Sequence, residues 1–121
     1  MKSKNILNSF KYAFDGIKTA LKTERNMKIH ITIMILVIIA GIILKISKLE
    51  WIICVILFTM VILSELFNTA VETVVDMITT QKNEKAKIAK DVSAGAVLIS
   101  AIGSAIIGLI IFLPKIYELI K

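Results

Sequence analysis

Four polar side chains, Glu65, Asn68, Glu72 and Asp76, break into the end of an apolar run, in 64-SELFNTAVETVVDMITT-80. At about 100° per residue on an α-helix, these positions fall within an arc of about 80° and form one stripe. The run starts at Trp51 and carries no charge through Leu63. With Trp51 at one membrane boundary and a rise of about 1.5 Å per residue through about 30 Å of hydrocarbon, the other boundary falls near Val71. Glu65 is then inside the hydrocarbon edge, Asn68 and Glu72 are at it, and Asp76 is beyond it. An ionisable group at membrane depth costs a few kcal/mol or more and marks function by default. A helix end that merely enters water explains Asp76, but it does not explain the depth of Glu65.

Other chemistry-bearing residues gather on the same side. Lys90 and Asp91 follow 81-QKNEKAKIA-89 and open the third apolar stretch. A helix N-terminus with lysines nearby favours phosphate, although Lys82, Lys85 and Lys87 are equally explained by the basic bias of cytoplasmic loops. In 24-ERNMKIH-30, Glu24 stands at the depth of Glu72, where two carboxylates can share a hard cation such as Mg²⁺. His30 reads as an interfacial hydrogen-bonding group on the lipid side. No G-x-x-x-x-G-K-[ST], G-x-G-x-x-G or D-F-G fingerprint occurs. The residues alone leave two readings open, an enzyme acting on a lipid head group and a small ion-coupled transporter. An interfacial stripe favours the enzyme, because a transporter places its charges nearer the midplane on broken helices.

The elements that must position these groups are all helical. The 121-residue chain is 57% hydrophobic, above the roughly 45–50% of soluble domains, and its mean hydropathy is +0.85. The reading is a single all-α membrane domain over 1–121, with spans at 29–45, 51–80 and 91–113. Residues 1–28 lack the apolar core of a signal peptide. Within them Ile6, Leu7, Phe10, Phe14, Ile17 and Leu21 recur at helical spacing among Lys11, Lys18 and Lys22, which predicts an amphipathic helix on the cytoplasmic membrane surface. Eleven basic residues in 1–28 and 81–91, against four in 45–50 and the C-terminal segment, orient the N-terminus to the cytoplasm and the C-terminus outside. The net charge of +6 follows from the same bias, so no nucleic-acid partner is implied. Trp51 and Tyr117 fall at the outer boundary as interfacial anchors. Cys54 is alone at membrane depth and excludes a disulfide framework. Ala96, Ser100, Ser104 and Gly108 lie four apart, a spacing that favours close helix or subunit packing over a pore lining, and Pro114 is expected to end the third helix.

The blocks 65-ELFNTAVETVVD-76 and 86-AKIAKDVSAGAVL-98, with 12-YAFDGIKTALKTE-24 before them, resemble the bacterial diacylglycerol kinase and undecaprenol kinase family. The resemblance extends over nearly the whole chain. It implies a homotrimer of three-span subunits with an N-terminal surface helix, in the bacterial cytoplasmic membrane, with sites shared between subunits. It further implies transfer of the γ-phosphate of MgATP to the primary hydroxyl of a membrane lipid alcohol. By position, Glu65 resembles the general base, and Glu24 and Glu72 resemble the Mg²⁺ ligands, which also contact the nucleotide. Tyr12, Lys90 and Asp91 resemble further nucleotide contacts, with Asn68 and Asp76 completing the stripe. Two positions depart from the enterobacterial pattern: Asn5, beside Lys4, replaces an arginine that contacts nucleotide, and His30 replaces a glutamate. These departures are similar to the Gram-positive branch, which implies undecaprenol as substrate, with diacylglycerol as the alternative.

Overall fold

The computed structural model describes residues 5–121; Lys4, and with it the expectation attached to it, lies outside the described residues. Four helices follow in order: α1 (Ile6–Thr23), α2 (Arg25–Leu44), α3 (Lys48–Ile78) and α4 (Glu84–Ile120). The last three are each long and apolar enough to cross a membrane. Helices close their backbone hydrogen bonds within themselves, which hydrocarbon demands of any spanning segment.

Each boundary has a local cause. Asn5 caps α1 by accepting the Asn8 N–H at 2.9 Å. Helix α1 ends at Glu24, whose extended backbone (φ −100°, ψ 115°) breaks the helix and lets α2 start at the next residue. Between α2 and α3 the chain turns on Lys45, which adopts φ 53°. There Ile46 N–H donates to Gly41 O at 3.1 Å and Lys45 N–H to Ile42 O at 3.3 Å, the two bonds of a Schellman closure. A left-handed non-glycine residue costs roughly 1–2 kcal/mol, which the capping box that follows helps offset. In it Glu50 N–H donates to Ser47 Oγ at 3.2 Å and Ser47 N–H donates to Glu50 Oε1 at 2.8 Å. Asn83 caps α4 through the Ala86 N–H at 3.0 Å.

The long helices α3 and α4 make the main packing contact, α2 lies against α3, and α1 touches both α2 and α3. At the turn end, Ile46, Cys54 and Ile111 form a small core with Trp51 and Phe112 packed on it. Trp51 is therefore half-buried rather than simply displayed at the boundary, and its ring occupies the space above Gly41, where an added Cβ would meet Trp51 Cη2 at 2.7 Å. Near the opposite end Ala20 and Met27 are buried where α1 runs into α2. Most large apolar side chains, including Leu36, Ile43, Ile56, Leu109 and Ile110, face outward, as a lipid-facing surface requires.

The small-residue face behaves differently from its expectation within the protomer. Of Ala96, Ser100, Ser104 and Gly108, Ser100 alone has a polar bridge to another span among the described residues, sharing a hydrogen bond with Ser64 at 2.9 Å. An added Cβ at Gly95, Gly103 or Gly108 would meet nothing within 4 Å. These glycines are not needed for packing inside one chain. Pro114 also departs from expectation: it lies inside α4, which continues to Ile120. Proline removes one donor and clashes with the preceding turn, but spanning helices tolerate it. Here the segment beyond it is held by Lys115, whose Nζ is 3.1 Å from Glu50 Oε1.

Gly41→Leu is expected to lower the thermal midpoint in detergent, with an overpacking cost of about 1–3 kcal/mol, because Trp51 fills the space above it. Gly16→Ala, with nothing nearby, should hold or raise the midpoint. Equal midpoints for the two variants would contradict the packing described.

Candidate active site

The stripe keeps its order of depth in the folded chain. Glu65 is 1% exposed and Asn68 5%, Glu72 is half-buried, and Asp76 is exposed. One helix thus carries four polar groups from the interior of the bundle to its surface. The reason is geometric, since spacings of three and four residues keep a helix face in register.

Each member has a different partner. His30 Nε2, from α2, is 3.3 Å from Glu65 Oε1. That is a charge contact without full hydrogen-bond geometry, and neither Glu65 oxygen has a hydrogen-bond partner among the described residues. Asn68 Nδ2 donates to Glu72 Oε1 at 3.1 Å, and Ser93 Oγ, from α4, donates to Asn68 Oδ1 at 2.6 Å. Further out, Lys90 Nζ donates to Asp76 Oδ1 at 2.7 Å, tying α4 to α3, and this carboxylate holds the Lys90 ammonium above the usual lysine range. Asp91 pairs with Lys87 one turn away on α4. The expected nucleotide contacts Lys90 and Asp91 therefore lie at the outer end of the stripe, each already paired.

Glu24, at the α1–α2 break, is half-buried and makes no side-chain hydrogen bond or ion pair among the described residues. Its charge and that of Glu72 are both felt at Glu65, although the three carboxylates do not gather into one cluster. Glu24 is unengaged, and only Oε1 of Glu72 accepts a hydrogen bond. Among the described residues no cluster of three or more His, Cys, Asp or Glu could hold a metal. A carboxylate pair without a third protein ligand fits Mg²⁺, which is commonly held by one or two carboxylates plus water and substrate phosphates. It does not suit a tight structural ion.

Tyr12 is not brought to this centre. It stands 42% exposed on α1, twelve residues before Glu24 and so about 18 Å along a helix. Asn5, where an arginine was expected to contact nucleotide, is instead used as the α1 cap. Ser93 escaped the sequence reading. Its only signal was a hydroxyl one turn into an apolar span, a feature shared by Ser100 and Ser104.

Three cavities lie at or near the stripe, two of them lined by its residues. One of about 290 Å³ is lined by His30, Glu65 and Asn68 with Ala94, Leu98 and Ala101. A second, of about 240 Å³, runs along the spans between Met34, Phe58, Ser104 and Phe112, with His30 at one end. The third, of about 270 Å³, lies under the α3–α4 loop among Asp76, Thr79, Lys82, Lys87 and Lys90. The apolar groove and the carboxylate pocket meet at His30 and Ala101, and the outer cleft is mixed in charge, with Asp91 also in its lining.

Such a fold and site define a helical membrane protein with a polar stripe running from the interior of its bundle to the surface. Sequence comparison gives the family: the family model described as prokaryotic diacylglycerol kinase matches residues 11–112, and the chain belongs to this family of lipid kinases. It is 44% identical to the undecaprenol kinase of Bacillus subtilis over 89% of this chain and 88% of that protein. The diacylglycerol kinase of Synechocystis is 40% identical over 95% of this chain and 66% of that protein. The diacylglycerol kinase of Haemophilus influenzae is 34% identical over 79% of this chain and 81% of that protein.

Ser93→Ala should leave Asn68 Oδ1 without its donor, and a buried unsatisfied acceptor costs about 1–3 kcal/mol. Kinase turnover is expected to fall about tenfold, with Ser93→Thr restoring most of it. Steady-state assay of both variants in detergent checks this, and full activity in Ser93→Ala would remove the serine from the site.

Proposed function

We propose that this chain phosphorylates a membrane lipid alcohol with MgATP, and that undecaprenol is its principal substrate. The observation that carries the reading is the Glu65 carboxylate, buried between apolar helices with no hydrogen-bond partner among the described residues, at the inner end of a polar stripe. A group in that position suits proton abstraction from a hydroxyl anchored in the bilayer. Undecaprenol is favoured by the 44% identity to an undecaprenol kinase. The two diacylglycerol kinases at 40% and 34% identity support diacylglycerol as the second reading. Helix α3 is continuous through Glu65, without the break expected of an ion-coupled carrier.

Phosphoryl transfer asks mainly for positioning and charge stabilisation. Glu65 takes the hydroxyl proton as the lipid oxygen forms its bond to the γ-phosphorus. The bond from that phosphorus to the β–γ bridging oxygen breaks, and ADP leaves. Asn68 orients Glu72 through its amide, and Ser93 fixes which way that amide points. Glu24 and Glu72 would hold Mg²⁺, which when bound neutralises phosphate charge. The basic cleft of Lys82, Lys87 and Lys90 accommodates the polyphosphate on the water side.

The working unit is a homotrimer in the bacterial cytoplasmic membrane, with the N-terminus and the α3–α4 loop in the cytoplasm and the C-terminus outside. Its support is the unfilled space beside Gly95, Gly103 and Gly108 and the separation of Tyr12 from its own stripe, which leaves it for a neighbour's site. Helix α1 exposes Ile6, Leu7, Phe10 and Phe14, as a helix lying on the membrane surface would.

Glu65→Gln keeps the side chain's size but cannot accept a proton. It is expected to lower kcat by about 10²-fold or more, with MgATP binding retained. A variant that lost nucleotide binding yet kept its turnover would exchange the roles of Glu65 and Glu72. Glu72→Gln should be inactive at ordinary Mg²⁺ while remaining folded and membrane-inserted, whereas near wild-type rates would exclude it as a metal ligand. Purified protein assayed with MgATP should phosphorylate undecaprenol in preference to diacylglycerol; turnover of neither lipid would defeat the assignment.

A further inference from the structure

The geometry points to His30 as the positioning residue for Glu65: its imidazole engages Oε1 and thereby presents Oε2 to the substrate hydroxyl. This inference rests on the assignment of Glu65 as the base.

The two side chains come from different spans, His30 from α2 and Glu65 from α3. Their contact of 3.3 Å is the only ion pair the buried carboxylate has among the described residues. A carboxylate out of water without hydrogen bonds is costly and rotates freely among poor alternatives. The other polar groups nearby do not help. Glu24 and Glu72 are themselves anionic, the Asn68 amide N–H is turned to Glu72, and Lys90 is drawn to Asp76. Among the described residues the imidazole is the polar group from another helix that comes into contact with Glu65. With one oxygen engaged, the other is the atom left to accept a proton.

Placement supports the same role. His30 is one of two residues, with Ala101, that line both the apolar groove and the carboxylate pocket. A lipid alcohol whose chain runs along the groove must bring its hydroxyl past this imidazole to reach Glu65. The residue thus stands where the chain gives way to the head group, on the helix opposite the base.

The test uses three substitutions in the full-length protein. His30→Leu removes the donor and is expected to lower kcat at least tenfold, with KM for MgATP unchanged. His30→Gln restores an N–H near the place of Nε2 and should recover most of that loss. Wild-type kcat in His30→Leu, or a His30→Gln variant no better than His30→Leu, would overturn the proposal. A readout independent of turnover separates this inference from the kinase assignment. The chain has one histidine, so its imidazole ¹⁵N resonances can be observed alone. Glu65→Gln should shift them and Asp76→Asn should not. Resonances indifferent to Glu65→Gln would refute the pairing whatever the protein phosphorylates.

Discussion

A carboxylate buried between helices is the constraint around which the other groups are arranged. Burying Glu65 removes its water, and among the described residues the fold returns one polar side chain in contact with its carboxylate oxygens, the imidazole of His30. Such a group is tolerated where its reactivity is useful. Its surroundings follow from the need to hold it there: α2 supplies the histidine, α3 the carboxylate itself, and α4 the serine that orders the next turn. None of these helices could be removed without leaving a buried polar group unmatched.

The chemistry must join a reactant confined to the bilayer with one confined to water. A single helix crossing the boundary solves this because its successive turns sample successive depths, about 5.4 Å apart. Glu65, Asn68, Glu72 and Asp76 are therefore a graded series, from a buried carboxylate through a buried amide to a half-buried carboxylate and a surface ion pair. At the outer end Lys82, Lys87 and Lys90 border a cleft they share with Asp76 and Asp91.

In lipid the usual link between a large core and stability loosens, since apolar side chains lose nothing by facing outward. Few residues of this chain are fully buried, and its specificity is concentrated in small devices. These are the Schellman closure at Lys45, the Ser47–Glu50 capping box, the Trp51 ring above Gly41, the Ser64–Ser100 bridge and the Lys115–Glu50 pair. They fix helix ends and crossing points, which is what aligns the stripe on α3 with His30 and Ser93.

Much of this was legible in the residues alone. Apolar runs of spanning length determine helices, because a backbone in hydrocarbon has no other way to satisfy itself. The spacing 65, 68, 72, 76 determines a stripe for any straight helix, so the order of burial from Glu65 to Asp76 followed without knowledge of packing. Pro114 misled because a proline's local preference for ending a helix is weaker than the backbone's need to stay paired in a spanning segment. Which groups would meet across helices depended on rotation and offset, and one-dimensional spacing contains neither. That is why His30 could be noted but not paired, why Ser93 was overlooked, and why spacing alone left open whether the small residues of α4 pack within one subunit or between subunits. Composition and periodicity determined the helices, their polar stripe and its depth; tertiary structure decided the partners, because a contact between side chains from different helices exists only once those helices have a fixed relative orientation.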